Sequence, residues 1–172
     1  MTSVLIRPAR PEDGRAIARV HVEAWRDAYA GILPAGYLVR RIERHAAASL
    51  PRPSAATGRS GRRSATLVAE LDAVVGYVTF GPARHVADPA TGEIAALYVR
   101  PDAQGRGLGR ALVETALQRQ FAAGCRAVEV EVLAENPARH FYTAMGAKLV
   151  GEGAHRFAGR MLPVAFYRWA AP

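Results

Sequence analysis

The chain has 172 residues, half of them hydrophobic, with 23 lysines and arginines against 15 acidic residues, a formal charge of +8 and one cysteine, Cys125. That length suits a single domain over residues 1–172 that buries its core without disulfides or a structural metal. A disulfide scaffold is excluded, no apolar run nears the ~20 residues of a membrane span, and the expectation is a soluble, cytoplasmic protein with no membrane partner.

Residues 4–7, Val4-Leu5-Ile6-Arg7, read as a short strand closed by Pro8. Pro11-Glu12-Asp13 then supplies the acidic first turn of a helix that runs to about Tyr29. Ile17, Val20, His21, Ala24 and Ala28 recur on one face of it, so it packs on something broad and apolar. Gly31 ends this helix and Pro34 starts a second, holding Tyr37, Leu38 and Ile42, which fades into a segment rich in Pro, Ser and Gly. Residues 51–64 are expected to form a flexible loop. The only arginine cluster, Arg52, Arg59, Arg62 and Arg63, falls here with no aromatic residue interleaved. Single-strand binders stack bases on such aromatics, so no nucleic-acid partner is expected. The positive charge suits a polyanionic small ligand equally well.

Residues 66–70 and 73–80 are β-branched and aromatic runs separated by Leu71-Asp72, which reads as a hairpin. Strand 94–99 extends the same sheet antiparallel. A helix from about Leu108 to Ala123 follows, with Leu112, Val113, Ala116, Leu117 and Phe121 along one side and Gly124 at its C-terminal cap. In 127–133, Val128, Val130 and Val132 alternate with Glu129 and Glu131, the pattern of a half-exposed strand. Strand-helix-strand order makes it parallel to 94–99. Asn136-Pro137 caps and starts a helix that ends at Met145-Gly146, and 147–151 and 164–169 read as a closing pair of strands.

The stretch from Glu93 to Arg110 organises the chain: an apolar strand, a short polar turn, and three glycines, Gly105, Gly107 and Gly109, opening onto a helix. Glycines let a backbone approach an anion closely, and the helix start directs its N–H groups and positive dipole end at the same spot. The P-loop pattern fails, because Gly109 is followed by Arg110 and Ala111 instead of Lys and Ser/Thr. The dinucleotide fingerprint fails too, with Arg110 where its last glycine belongs. What fits is Gln104-Gly105-Arg106-Gly107-Leu108-Gly109, preceded by Leu97-Tyr98-Val99-Arg100-Pro101 and followed by Asn136-Pro137-Ala138-Arg139-His140-Phe141-Tyr142 and Met145-Gly146. In this order and spacing the pieces resemble the GNAT superfamily of acyl-CoA-dependent N-acetyltransferases, over about residues 4–169. Trp25, Tyr29 and Gly31-Ile32-Leu33-Pro34 are similar to one of its bacterial branches, without fixing a substrate.

The resemblance implies a mixed α/β fold, with a mainly antiparallel, centrally splayed sheet and helices on both faces. It implies acetyl-CoA as donor and direct attack by a primary amine in a ternary complex. The pyrophosphate of coenzyme A would sit on the N–H groups of Gly105, Arg106, Gly107, Leu108, Gly109 and Arg110, beside Gln104, with Arg106 and Arg110 available for charge-assisted contacts. Leu97, Tyr98 and Val99 would offer backbone groups to the pantetheine arm, an N–H at or beside Val99 would stabilise the oxyanion, and Asn136 would cap its helix and touch that arm. Tyr142 matches the family's general acid; a phenol, with a reference pKa of ~10, keeps its proton at neutral pH and can pass it to a departing thiolate. Glu93 matches a carboxylate that takes the amine's proton, with His85 and Asp88 in reserve. Trp25, Tyr29 and Tyr37, on the first helices, are the candidates for the acceptor pocket. His21, His45, His140 and His155 show no pairing that suggests a metal or a nucleophile, and no metal is expected. A small-molecule amine is the expected acceptor, with a peptide or protein N-terminus as the alternative and an acyl-CoA-binding sensor as the rival outside catalysis. A second copy of the chain is a candidate partner.

Overall fold

The apolar runs and glycine stops of the sequence become, in the computed structural model, a layered sheet and helices; residues 4–40, 63–157 and 159–172 are described. In chain order these are β1 (Leu5–Pro8), α1 (Gly14–Tyr29), the helical residues 35–40 (α2), β2 (Ala65–Glu70), β3 (Val74–Pro82), β4 (Thr91–Val99), α3 (Leu108–Ala122), β5 (Ala127–Leu133), α4 (Ala138–Ala144), β6 (Lys148–Phe157) and β7 (Arg160–Ala170). The loop expected at 51–64 lies outside the described residues except for positions 63 and 64, as do Ile42 and His45. None of the described helices is long and apolar enough to cross a membrane.

The strands form one sheet in the order β1-β2-β3-β4-β5-β7-β6. All neighbours are antiparallel except β4 and β5, the pair that α3 connects. On one face, Leu112, Val113 and Ala116 of α3 are fully buried against Leu67, Val78 and Val128. On the other, Ile17 and Val20 of α1 cover Val68 and Tyr77. Trp25 and Leu33 extend that second layer over Leu133 and Val164. Each buried Leu or Val contributes about 1.5–3 kcal/mol, so the two layers hold the sheet from both sides.

The central pair is joined only from Thr91↔Ala127 to Ile94↔Val130, and beyond Ile94 the strands part. The cause is visible on the other side of β4. Phe80 pairs with Ile94 but Thr79 pairs with Ala96, so Ala95 is an extra residue, a β-bulge that bends the strand away from β5. The bulge also reverses the alternation: Ile94, Leu97 and Val99 pack toward α3, while Ala96 and Tyr98 pack toward α1. From behind, Gln120 of α3, only 5% exposed, donates through Nε2 to the carbonyls of Gly81 and Glu93, 3.0 Å each, and pins β4 just before the bend.

The sequence reading needs three corrections here. β4 starts at Thr91, so Glu93 is its third residue and does not open it. The closing strands are ten and eleven residues long, far beyond 147–151 and 164–169, because backbone pairing carries β6 through Gly151, Gly153 and the polar run His155-Arg156, where side-chain propensity is silent. The glutamate face of β5 is not a solvent face: Glu129 is 9% exposed.

Candidate active site

The turn from Gln104 to Gly107 reaches its shape through two left-handed residues, Gly105 at φ +74° and Gly107 at φ +77°. A Cβ at either position would meet nothing within 4 Å, so the turn is open on its outer side. Gly107 caps α3, and Ala111 is the first residue whose N–H finds a helix acceptor there, Gly107 O at 3.0 Å. The N–H groups of the first turn therefore point outward, at the positive end of the helix dipole. They border a cavity of about 390 Å³ lined by Leu97, Val99, Gln104, Gly105, Gly107, Leu108, Gly109, Arg110 and Phe141. Such a donor set fits a diphosphate. Gln104 also ties the turn to the strand, its Nε2 donating to Val99 O at 3.1 Å. Arg110 lies at the wall in a loose 3.5 Å pair with Glu114, while Arg106 stays outside it, exposed and 3.5 Å from Asp102 O.

The splay between β4 and β5 is a second cavity, of about 110 Å³, with Tyr29, Leu97, Tyr98, Asn136 and Tyr142 in its wall. Arg100 N–H bonds Val75 O at 2.8 Å, toward β3. By strand alternation the N–H groups of Leu97 and Val99 point the opposite way, into the splay. Asn136, 7% exposed, accepts the Ala138 N–H at 2.9 Å and so shapes the start of α4. That helix delivers Tyr142, whose ring packs edge-on against Trp169 at 5.9 Å between centroids. Burial, and secondarily the nearby Tyr29, pushes the Tyr142 phenol well above its usual value. Burial does the same to Tyr98, whose hydroxyl lies 3.5 Å from that of Tyr29.

A third cavity, of about 220 Å³, opens beyond the splay on the α1 face of the sheet. Its walls are the loop residues Ala83 to Val86, Glu93, Ile94 and Ala95 of β4, Glu129 and Glu131 of β5, His155 of β6 and Phe166 of β7. Arg84 holds both oxygens of Glu93, with Nε 2.5 Å from Oε1 and the backbone N–H 3.1 Å from Oε2. Arg168 holds Glu129, Nε to Oε1 at 2.8 Å. Glu131 pairs with His155, Nδ1 to Oε1 at 2.8 Å. The three cavities are neighbours that share walls: Leu97 lines the first and second, and Ile94, Ala95 and Glu131 line the second and third.

The structure thus gathers Tyr142, Asn136, Tyr29 and the 97–99 backbone in the splay, and Glu93 and His85 in the pocket beyond it. Trp25 and Tyr37 line none of the three cavities but lie behind them, in an apolar cluster with Leu33, Leu133 and Val164 that also holds Tyr29, Tyr98 and Phe166, with Trp25 packed against Tyr29 at 4.6 Å. Asp88 is a turn-former: its carboxylate accepts the Ala90 N–H at 3.0 Å, which with Arg126 holds it below the usual carboxylate range. Sequence reasoning missed Glu129, Glu131, His155 and Phe166. One signal was present, since a strand parallel to 94–99 with glutamates on a single face sets Glu129 beside Glu93, and the register pairs them. His155 carried no signal, because only the β6–β7 hairpin brings it to the pocket.

Comparison with known proteins agrees with this arrangement. A family model described as the acetyltransferase (GNAT) family matches residues 19–147. The chain is 30% identical over 170 residues to the uncharacterized N-acetyltransferase YuaI of Bacillus subtilis (strain 168), covering 96% of this chain and 92% of the relative. Among solved structures it resembles PaiA N-acetyltransferase from Thermoplasma acidophilum in complex with coenzyme A, with a TM-score of 0.73, 19% identity and coverage of 98% and 99% of the two chains. It also resembles YncA from Salmonella typhimurium with acetyl-CoA, with a TM-score of 0.68, 22% identity and coverage of 98% and 94%. With more than half of its length matched by the family model and a full-length relative at this identity, the chain belongs to the GNAT family of acetyltransferases.

Proposed function

We propose that residues 1–172 act as one catalytic domain that transfers an acetyl group from acetyl-CoA to a small primary amine by direct attack in a ternary complex. The adjacency of the three cavities carries this reading: a turn that fits an anion, a splay lined by a buried phenol, and an acidic pocket lie in a row and share walls at Leu97, Ile94, Ala95 and Glu131. The N–H groups from Gly105 to Arg110 hold the pyrophosphate of the donor, with Arg110 at the wall and Arg106 near the rim. The outward backbone edge of Leu97 and Val99 pairs with the pantetheine arm, Tyr98 and Asn136 shape the space around it, and the Val99 N–H supports the oxyanion. Glu93 draws the acceptor in as an ammonium; with both oxygens engaged by Arg84, it serves as an electrostatic anchor. Tyr29 borders the path between acceptor and donor, and Trp25 and Tyr37 act behind it as packing. Tyr142 gives its proton to the departing sulfur, a role that suits a phenol kept protonated by burial. The small pocket favours a compact amine over a peptide N-terminus. A cytoplasmic setting suits a chain whose one cysteine has no disulfide partner within it.

Tyr142→Phe tests the assignment. With an amine found by an acceptor screen that reads CoA release, its turnover should fall about 10²-fold, the scale of general acid catalysis, while the dissociation constant for acetyl-CoA stays within twofold. An unchanged rate removes the acid role.

A further inference from the structure

Glu131 differs from the other two pocket carboxylates in lining both the splay cavity, beside Tyr142, and the acidic pocket beyond it. It differs in its partner as well. Glu93 and Glu129 are each held by an arginine, whereas Glu131 Oε1 lies 2.8 Å from His155 Nδ1. The imidazole reaches it from the edge strand β6 across β7. This contact fixes the ring, with Nδ1–H donating to the carboxylate and Nε2 left as the nitrogen that exchanges a proton. The His155 side chain is 40% exposed, so a proton taken up there has a route to water. His85 flanks it nearly edge-on, with ring centroids 5.8 Å apart. The charges facing His155 are therefore Glu131, the Glu93–Arg84 and Glu129–Arg168 pairs, and His85.

We propose that His155, oriented by Glu131, is the base of the reaction: it takes a proton from the acceptor's ammonium and releases it to solvent. This rests on the acetyl-transfer reading above. One N–H bond of the ammonium breaks and an Nε2–H bond forms, leaving the electron pair on the amine nitrogen for attack on the thioester carbon. Glu131 holds the imidazolium charge through the Nδ1–H hydrogen bond. As the C–S bond breaks, the sulfur takes the Tyr142 proton, and the second proton of the attacking nitrogen restores the phenol. The net products are amide, thiol and one proton in water. Glu131 acts through His155 and is a positioning residue.

The test is chemical rescue of His155→Ala, an exposed edge-strand truncation that leaves an imidazole-sized gap. Its turnover should fall 10²- to 10⁴-fold, the range of general base catalysis, and added imidazole should restore at least tenfold in a concentration-dependent way. A purely structural role would give no rescue. Glu131→Gln should lower turnover in the wild-type background and add nothing to His155→Ala, the non-additivity of two groups that work as one. His155→Ala within threefold of wild type, or a folded His155→Ala that binds acetyl-CoA and does not respond to imidazole, overturns the proposal. A wild-type protein that releases no CoA with any amine overturns the acetyl-transfer reading itself, and the proposal with it.

Discussion

Tyr142 shows how one residue's surroundings set its usefulness. At 6% exposure, its phenol has little water to solvate a phenolate, and the nearby Tyr29 adds to the cost of ionising it. A value raised on folding favours the protonated form, so the linked stability is fully present below the ordinary phenol value of ~10 and is lost as pH rises past the raised one. The phenol consequently keeps its proton at neutral and mildly alkaline pH, as the acid role proposed for it requires. The ratio of wild-type to Tyr142→Phe turnover should stay constant from about pH 7 to 9.5. A ratio that shrinks over this interval would mean that the phenol ionises there and that the burial argument is wrong.

At the scale of elements, the cradle joins two kinds of glycine that answer different questions. Gly107 sits at φ +77°, where any side chain strains the backbone, so Gly107→Val tests the turn's conformation as much as its space. Gly109 is an ordinary helical residue whose Cβ would lie 3.5 Å from the Phe141 ring, in normal contact, at the cavity wall. Gly109→Ala should therefore fold as well as wild type, or slightly better as a helix residue, yet weaken acetyl-CoA about tenfold by calorimetric titration. Full affinity would show that the donor does not use this wall. The strand half of the motif is governed by the Ala95 bulge and the Gln120 strut, and neither was legible in the sequence. A bulge has no side-chain signature when the extra residue is one alanine in Glu93-Ile94-Ala95-Ala96-Leu97, and a buried glutamine on a helix reads as surface.

For the molecule as a whole, the sheet runs from an edge at β1 to an edge at β6, with the candidate site where the central strands part. The β1 edge is fastened by Arg7, which donates to Asp13 at 2.6 and 2.9 Å and to Glu70 on β2 at 2.5 Å. Asp13 also accepts the Arg10 N–H at 2.7 Å and is held below the usual carboxylate range, chiefly by Arg7. A depressed folded value contributes stability that is present above the unfolded value of ~3.9 and is lost as pH falls through the folded one. Asp13→Asn should melt lower than wild type at pH 7, and the difference should narrow as pH falls from about 4 toward 2. Equal melting temperatures at pH 7 would show that the fastening contributes nothing.

Local patterns determined much of this protein. Apolar periodicity placed α1 and α3, β-branched runs placed β2 and β3, and the glycines marked the turn that opens α3, because each depends on neighbours a few residues apart in the chain. The helix cap at Asn136 was legible for the same reason, with Tyr142 on the helix that it starts, whereas the roles proposed for the two residues came from the family resemblance. The family resemblance implied a splayed sheet, but the tertiary structure alone decided the Ala95 bulge at the splay, the facing of Glu129 and Glu131 into a pocket, and the meeting of His155 with Glu131. Those features depend on strand register and on a hairpin that folds back from the far edge. Register is a property of pairs of strands, and no single stretch of sequence carries it.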